Sequence, residues 1–394
     1  MSKKIILKKD KERPLLRNHP WIFSGAIHKM DKGVRDGDRV DIKDFQGQYL
    51  ATGHYQNGSI AIRVISQEPI GSIDVFWVQK IQNAVDYRKA IGLWEHPDTN
   101  CFRLVHAEGD GLPGLIIDIY DKVAVVQCHS IGMYKSISSI SQALQQVFEN
   151  ALESIFIKST STLPSKFALE ISDDYVFGDT SSCPCIVKEN GLSFEVNWET
   201  GQKTGFFLDQ RDNRNNIIRY CAGKKVLNAF SYSGGFSVYA LKGGAKEVHS
   251  LDISSTAMEL ADKNIRLNQF EGMHQCITED VMDYLRDTSA SYDVMIVDPP
   301  AFAKSIKKRH NAVQAYKRLN ILAMKRMHSG GILSTYSCSQ VVDKPLFYNT
   351  IKAAAIEVGK KVRVIRHLSQ PADHPVSLFH DEGSYLKGLD LYVE

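Results

Sequence analysis

Hydrophobic and polar positions alternate over short stretches in the first seventy residues. Residues 39–42 and 60–65 show this alternation, and turn residues separate such stretches at Asp36-Gly37, Gln46-Gly47 and Asn57-Gly58. Short strands at this spacing are typical of a small barrel or sandwich. We therefore predict a β-rich N-terminal domain over residues 1–72.

A different pattern begins near residue 73. Residues 74–93 repeat apolar positions every three or four residues, which predicts a helix. A second β segment follows, interrupted by the turn residues Gly109, Gly111, Pro113 and Gly114, and another helical stretch lies around 133–152. These elements predict a separate α+β module over residues 73–185.

From residue 186 onward, apolar strands alternate with helical segments. The strands are predicted at 226–230, 248–251, 294–297 and 331–337, and the helices at 255–269 and 312–327. Such alternation is typical of a mostly parallel sheet that is covered by helices on both faces. The fold class predicted for residues 186–394 is therefore α/β and Rossmann-like.

Composition excludes several classes of protein. The chain of 394 residues has neither a secretory h-region nor an apolar run of the length, about eighteen residues, that spans a bilayer. Its seven cysteines, an odd number, indicate reduced thiols in a cytoplasmic protein. Cys183 and Cys185 lack a second pair at zinc-site spacing, so we predict no metal site.

Basic residues are concentrated in two segments, although the net charge is only +3. Residues 1–17 hold seven Lys and Arg, and residues 303–318 hold six, including Lys304, with no acidic residue. Such clusters either neutralise nucleic-acid phosphates or form solvated faces. Both interpretations stay open for each cluster.

A nucleotide site is predicted where the strand at 226–230 runs into Ser231-Tyr232-Ser233-Gly234-Gly235. Small residues at such a turn let backbone N–H groups approach a ligand closely. Asp252 ends the next strand and can accept hydrogen bonds from ribose hydroxyls, and Asp280 follows the third strand and can accept from an adenine amine. Both acids have an alternative role as helix N-caps.

The turn lacks the Gly-x-Gly-x-x-Gly pattern that a nicotinamide dinucleotide usually requires. No cradle for a pyrophosphate is evident in this segment. A dehydrogenase is therefore disfavoured, and S-adenosylmethionine, which has no phosphates, is the better match.

A reactive centre is predicted at the ends of the next two strands. The fourth strand ends in Asp298-Pro299-Pro300-Ala301-Phe302, which can hold a planar base by hydrogen bonding and apolar packing. The fifth ends at Cys338, whose thiolate would add to carbon 6 of a pyrimidine and make carbon 5 nucleophilic. The alternatives are a rigid turn for the Asp-Pro-Pro segment and a small buried apolar residue for Cys338.

Motifs along nearly the whole chain resemble those of one family, the bacterial large-subunit rRNA cytosine-5 methyltransferases of the RlmI type. They are His19-Pro20-Trp21-Ile22-Phe23-Ser24-Gly25, the segment 103–120, Lys203–Arg211, Asn228–Gly235, Asp298–Phe302, Ser337-Cys338-Ser339, Ala372–Pro375 and Tyr385-Leu386-Lys387-Gly388. The resemblance implies an N-terminal RNA-binding PUA domain, a Rossmann-like methyltransferase domain, S-adenosylmethionine as cofactor and large-subunit (23S) rRNA as partner. It is compatible with a homodimer.

Site residues are carried over from the resemblance. It implies that Cys338 is the nucleophile and that Asp298 helps to orient and protonate the cytosine. We expect the substrate to contact Pro299, Pro300, Phe302 and Lys304. The residues expected at the cofactor are Phe206, Asp209, Gln210, Asn228, Phe230, Ser231, Tyr232, Gly234, Asp252, Asp280 and Asp298.

Ala301 departs from the broader RNA cytosine-5 pattern. Those enzymes often place a second cysteine at this position to help release the product, whereas the RlmI type lacks it. The family resemblance is therefore retained, and no residue is assigned to remove the carbon-5 proton.

Two further functions were weighed against cytosine-5 chemistry. An exocyclic-amine methyltransferase acting on guanine or adenine often uses Asp-Pro-Pro followed by an aromatic residue, but here Ala301 precedes Phe302. That chemistry also needs no cysteine. A non-catalytic RNA-binding assembly factor is disfavoured by the intact series Asp252, Asp280 and Asp298.

Overall fold

The computed structural model describes residues 3–394 and divides into two compact units. The first comprises the chain up to Val187 together with Val196–Leu208 and Ala372–Gly383. The second comprises Lys188–Glu195, Asp209–Pro371 and Ser384–Glu394. Among the described residues, no helix is both long and apolar enough to cross a membrane.

The N-terminal part of the first unit is a six-stranded sheet. The strand order is β2-β6-β5-β4-β1-β3, and a cluster of buried side chains that includes Ile5, Val40 and Ile62 forms its core. The elements are β1 (Lys3–Leu7), α1 (Arg13–Leu16), β2 (Trp21–Phe23), β3 (Ile27–Met30), β4 (Arg39–Lys43), β5 (Tyr49–Tyr55) and β6 (Ile60–Ser66).

A second sheet in the first unit has five strands. Its order is β11-β10-β9-β8-β7, and its apolar core is separate from that of the first sheet. The elements are α2 (Ile73–Ala90), β7 (Cys101–His106), β8 (Leu115–Tyr120), β9 (Val123–Cys128), α3 (Ile131–Lys135), α4 (Ile137–Val147), β10 (Ser154–Ile157), α5 (Ser165–Ala168) and β11 (Asp174–Phe177).

The second unit is built on a seven-stranded sheet, which follows the two-stranded hairpin of β12 (Cys185–Glu189) and β13 (Leu192–Val196). Its elements are α6 (Arg211–Ile217), β14 (Lys225–Ala229), α7 (Gly235–Lys242), β15 (Glu247–Asp252), α8 (Ser255–Leu267), β16 (Met273–Thr278), α9 (Val281–Asp287), β17 (Tyr292–Val297), α10 (Arg309–Lys325), β18 (Met327–Ser337), α11 (Lys344–Val358), β19 (Val362–Ser369) and β20 (Lys387–Val393).

The order of the seven strands is β16-β15-β14-β17-β18-β20-β19. The five strands from β16 to β18 are parallel, and β20 runs antiparallel to both of its neighbours. The order reverses at β14, which lies between β15 and β17, and ligands bind at the carboxyl ends of strands near such a switch point. The α/β fold class predicted from the strand–helix alternation is confirmed.

Two predicted elements differ in detail from the observed ones. The helical stretch around 133–152 is two helices, because α3 ends before Ser136 and α4 begins after it. The helix predicted at 312–327 begins earlier, at Arg309. The proposed domain boundaries after residues 72 and 185 stay predictions.

Candidate active site

The loop after β14 has a strained backbone. Phe230 and Tyr232 have φ angles of 60° and 44°, in the left-handed region that side chains with a Cβ rarely adopt. Gly234 has φ 75°, and a Cβ added there would lie 2.9 Å from the Cβ of Ala261. Both the backbone angle and the lack of space therefore require glycine at this position. Strain of this kind is stored where a backbone is shaped for a ligand.

Asp252, at the end of β15, stabilises this loop by hydrogen bonding. Its Oδ2 accepts a hydrogen bond from the backbone N–H of Tyr232 at 3.0 Å, and its Oδ1 accepts from the N–H of Ser254 at 3.0 Å. Ser254 is the N-cap of α8, so Asp252 is not that helix's cap. The cap alternative for Asp252 is therefore excluded, and each of its oxygens has remaining acceptor capacity.

Asp280, by contrast, does serve as the N-cap of α9. Its Oδ1 accepts from the N–H groups of Met282 and Asp283 at 2.8 and 3.1 Å. The residue is exposed, so capping leaves its second oxygen open to solvent. The two roles considered for Asp280 are thus compatible, since capping uses one oxygen.

Asn228 and Ser231 are buried at the base of the same loop. The Asn228 amide donates to Ser237 Oγ at 2.9 Å, and Ser237 is hydrogen bonded to Ser250 at 2.6 Å. This chain joins β14, α7 and β15 beneath the loop. Asn228 is only 1% exposed, so this amide contact supports the loop from below.

Asp298 leaves the carboxyl end of β17 and is held by a side chain from the start of the second unit. Gln210 Nε2 donates to Asp298 Oδ2 at 2.9 Å. Gln210 is itself oriented by Asn213, whose Nδ2 donates to Gln210 Oε1 at 2.6 Å. The adjacent Asp209 accepts a hydrogen bond from the Tyr385 hydroxyl at 2.7 Å.

Cys338 follows the end of β18, next to the strand that carries Asp298. The register pairs Val297 with Thr335, so Asp298 and Cys338 leave adjacent parallel strands at the same sheet edge. Ser339 Oγ donates to the carbonyl of Ala303 at 2.5 Å, which joins the segment after Cys338 to the segment after Asp298. Cys338 itself is partly exposed.

The expected substrate residues lie in the segment between β17 and α10. Pro299 is buried, Pro300 is exposed, and Phe302 is half-buried with its ring centroid 4.7 Å from that of Tyr316. Lys304 is exposed. Phe206 belongs to the first unit, where its N–H donates to the Tyr120 hydroxyl at 3.3 Å.

Sequence reasoning assigned no role to three residues of this region. Asn213 orients Gln210, Tyr385 donates to Asp209, and Lys387 is buried with its Nζ on the carbonyl oxygens of Ser339 and Tyr385. Apart from Lys387 and Asp390, the strand KGLDLYV is apolar, and a lysine in such a strand is the available signal for Lys387. No sequence signal marks Asn213, because its role depends on the contact of its neighbour Gln210 with Asp298, which is 88 positions away.

Comparison with known proteins gives this geometry a family. A family model described as S-adenosylmethionine-dependent methyltransferase matches residues 103–377, and one described as PUA-like domain matches residues 5–67. The protein named ribosomal RNA large subunit methyltransferase I of Aeromonas salmonicida (strain A449) is 39% identical over 99% of both chains, and its namesake in Escherichia coli (strain K12) is 38% identical over 99% of both. The chain belongs to this family of S-adenosylmethionine-dependent methyltransferases.

Solved structures of methyltransferases share the fold of this family member. A methyltransferase structure titled SMU.776, complexed with SAH, superimposes with a TM-score of 0.84 at 24% identity over 100% of both chains. Trm5b from Pyrococcus abyssi does so with a TM-score of 0.53 at 14% identity over 100% of both chains. The predicted family, fold class and cofactor are confirmed.

The residues of this methyltransferase fit its cofactor, S-adenosylmethionine. Carboxylates at the ends of β15 and β16 provide acceptors for hydroxyl and amino donors, and the constrained loop after β14 lies between β15 and β17. Asp252, which ends β15, and Asp280, which follows β16, would repel phosphates. These hydrogen-bond acceptors thus match a nucleoside without phosphates.

Proposed function

We propose that this methyltransferase forms 5-methylcytosine in large-subunit rRNA through a covalent adduct at Cys338. The relatives named ribosomal RNA large subunit methyltransferase I support rRNA as the substrate class. The single observation that carries the choice of cytosine carbon 5 is a half-buried thiol and a carboxylate at one sheet edge, on segments joined by the 2.5 Å hydrogen bond from Ser339 to Ala303.

Cys338 supplies the nucleophile. Its thiolate forms a bond to carbon 6 of the cytosine, and the displaced π electrons make carbon 5 nucleophilic. S-adenosylmethionine, when bound, supplies the electrophilic methyl group. The carbon-5 proton then passes to solvent, and its bonding pair forms the double bond between carbons 5 and 6 as the carbon–sulfur bond breaks. Cys338 is recovered as a thiolate, and Asp298 takes back the proton that it lends to ring nitrogen 3.

Asp298 orients the base and supplies its proton. In the acid form it donates to ring nitrogen 3 as the thiolate adds, so the negative charge of the sulfur is not left on the ring. Gln210 fixes the carboxyl group through its hydrogen bond to Oδ2. Phe302 and the two prolines provide the apolar surface on which a planar base packs.

The segment 304–310 is the surface we assign to the RNA backbone. Lys304, Lys307, Lys308 and Arg309 are all exposed, and none of them has a carboxylate within ion-pair distance among residues 3–394. The last of these opens α10, where the helix dipole disfavours positive charge. These cations lie beside Asp298–Phe302 although the helix dipole disfavours them. Their position supports a role in binding RNA phosphates.

The N-terminal cluster is less available for phosphates. Lys3 pairs with Asp38 at 2.6 Å, Arg13 pairs with Asp10 at 2.9 Å, and Lys8 donates to the carbonyl of Gly25 at 2.9 Å. These internal partners favour the interpretation of residues 3–17 as a structural, solvated face.

Product mapping tests the proposal. The purified protein is incubated with S-adenosylmethionine and large-subunit rRNA from a strain that lacks the enzyme, and the methylated nucleoside is identified by mass spectrometry. We expect 5-methylcytosine at one position, and we expect C338A to abolish it while retaining cofactor binding by calorimetry.

Cys183→Ala is the matched control, because this half-buried thiol belongs to the first unit and is held by Asn197. It should methylate at the wild-type rate. A methylated guanine or adenine amine as the product, or normal turnover by C338A, would establish amine chemistry instead.

A further inference from the structure

Lys387 is a buried cation that forms no ion pair with any of residues 3–394. It is 2% exposed, and its Nζ donates to the carbonyl oxygens of Ser339 at 2.7 Å and Tyr385 at 2.9 Å. None of the described residues places a carboxylate within ion-pair distance of it. Burial of an ammonium costs several kcal/mol unless a charge compensates it, so an apolar side chain here would stabilise the sheet more.

The neighbour of Lys387 is the proposed nucleophile. Lys387 opens β20 and is paired in register with Ser337, the residue directly before Cys338. Its ammonium also holds the carbonyl of Ser339, the residue directly after Cys338. Lys387 thus contacts the residues on both sides of Cys338 in the chain.

We propose that Lys387 is a positioning residue whose ammonium provides the counter-charge for the thiolate of Cys338. This inference rests on the proposed function, in which Cys338 attacks the cytosine. A cation beside a thiol favours its ionised form, which is the nucleophile.

The charges around Lys387 are consistent with this role. Burial lowers the pKa of Lys387 to about 8, Cys338 and Asp343 raise it, and Lys344 lowers it. Asp343 and Lys344 lie at the start of α11 and are both exposed, so solvent screens them. Tyr316, from α10, interacts electrostatically with both Cys338 and Asp298.

Formation of the Cys338 thiolate releases one proton. This proton leaves the sulfur of Cys338 for solvent, to which the residue is partly exposed, and the ammonium of Lys387 balances the charge of the thiolate that remains. Lys387 keeps its own proton while the carbon–sulfur bond exists. When the adduct breaks, the sulfur recovers its electron pair beside the same cation.

Lys387 also belongs to a chain of contacts between the two proposed catalytic residues. It donates to the carbonyl of Tyr385, whose hydroxyl donates to Asp209, and Asp209 is adjacent to Gln210, which donates to Asp298. Residues 385–387 therefore help to position both the thiol of Cys338 and the carboxylate of Asp298.

Thiol titration tests the inference independently of turnover. The full-length protein is pulsed with iodoacetamide across a pH series, and alkylation of each cysteine is read by peptide mass spectrometry. In the wild type, the midpoint for Cys338 should lie about one unit or more below the ordinary thiol value of about 8.5. A midpoint at or above that value overturns the proposal, whatever any variant does.

Variants separate charge from structure. K387Q should raise the midpoint by about one unit and slow alkylation near pH 7 about tenfold, whereas K387R should keep the midpoint near the wild-type value. Alkylation of Cys183 serves as the internal reference, because unfolding would accelerate both sites. An unchanged Cys338 midpoint in K387Q contradicts the proposal.

Turnover adds a second readout. K387Q should lower kcat about tenfold near pH 7 and recover toward wild type near pH 9, with KM for S-adenosylmethionine unchanged. The matched control K344Q removes an exposed lysine from the same neighbourhood and should have little effect. If C338A methylates normally, the proposed function fails, but a shifted Cys338 titration would still establish the lysine–thiolate pair.

Discussion

Gln210 donates a hydrogen bond from Nε2 to Oδ2 of Asp298 over 2.9 Å, although the two residues are 88 positions apart. The contact joins the turn before α6 to the end of β17. The carboxyl group of Asp298 therefore has a fixed direction before any base arrives. Preorganisation of this kind lowers the cost of reaching the transition state.

Replacement of Gln210 tests that contact. Q210L should lower kcat by about tenfold to a hundredfold, since removing one partner of a part-buried hydrogen bond costs about 1–3 kcal/mol. N213A should cause a smaller loss, because it frees the Gln210 amide without removing it. Steady-state rates with rRNA measure both, and equal activity of Q210L and wild type would refute the positioning of Asp298 by Gln210.

Asp252 is expected to control cofactor affinity. D252A removes the acceptor of the Tyr232 and Ser254 N–H groups, so the strained loop loses its brace. We expect the Kd for S-adenosylmethionine, measured by calorimetry, to rise by about tenfold to a hundredfold. D287N removes an exposed acid at the end of α9 and is the matched control. A Kd within twofold of wild type in D252A would exclude Asp252 from the site.

The cations that precede α10 should control RNA binding. The triple variant K307Q/K308Q/R309Q should weaken rRNA binding and reduce the slope of log affinity against log salt by about 2. Its stability should stay level or rise by about 0.3–1 kcal/mol, since cations at a helix N-terminus oppose the dipole.

A control with the same change of charge places three glutamines elsewhere in the second unit, as K352Q/K360Q/K361Q. This control should retain the wild-type salt slope. If both triple variants lose affinity equally, net charge rather than the segment 304–310 governs binding.

A buried imidazole predicts that stability falls in acid. Burial lowers the pKa of His54 to about 4, with Arg39 and Arg63 adding to the effect, and the residue is 4% exposed. Below about pH 6.5 the unfolded chain binds a proton that the folded chain does not, so the free energy of unfolding decreases as pH falls. The loss from this group should reach about 3 kcal/mol near pH 4.

Urea unfolding at a series of pH values measures this loss. H54Q should remove the share due to His54 between about pH 6.5 and 4, while the exposed His28→Gln should leave the pH dependence unchanged. His106, another buried histidine whose pKa is lowered by burial, keeps its contribution in both variants. A pH dependence identical in H54Q and wild type would contradict the prediction.

The sequence predicted the parallel sheet well because each strand is an apolar run followed by turn residues. Asp252 and Asp298 were identified for the same reason, since the first ends and the second directly follows such a run at the carboxyl edge, whereas the strand before Asp280, MHQCIT, is less apolar. What periodicity could not reveal is which distant side chains meet. The pairs Gln210–Asp298 and Tyr385–Asp209 depend on the tertiary packing of α6 and the segment before β20.

The split of the predicted helix around 133–152 had a local cause that sequence patterns obscure. Apolar residues continue on both sides of Ser136, but its hydroxyl donates to the Gly132 carbonyl at 2.9 Å. Such side-chain competition for backbone groups ends a helix without a proline or a glycine at the break.

The position of β20 has a consequence for biogenesis. This strand is the last of those described along the chain, yet it is inserted between β18 and β19 and carries the lysine beside the thiol. While the ribosome is still synthesising residues 387–393, the edge of β18 has no partner on that side, and the proposed counter-charge of Cys338 is not yet in place. A nascent chain that lacks only this strand would therefore be prone to pair with other exposed edges.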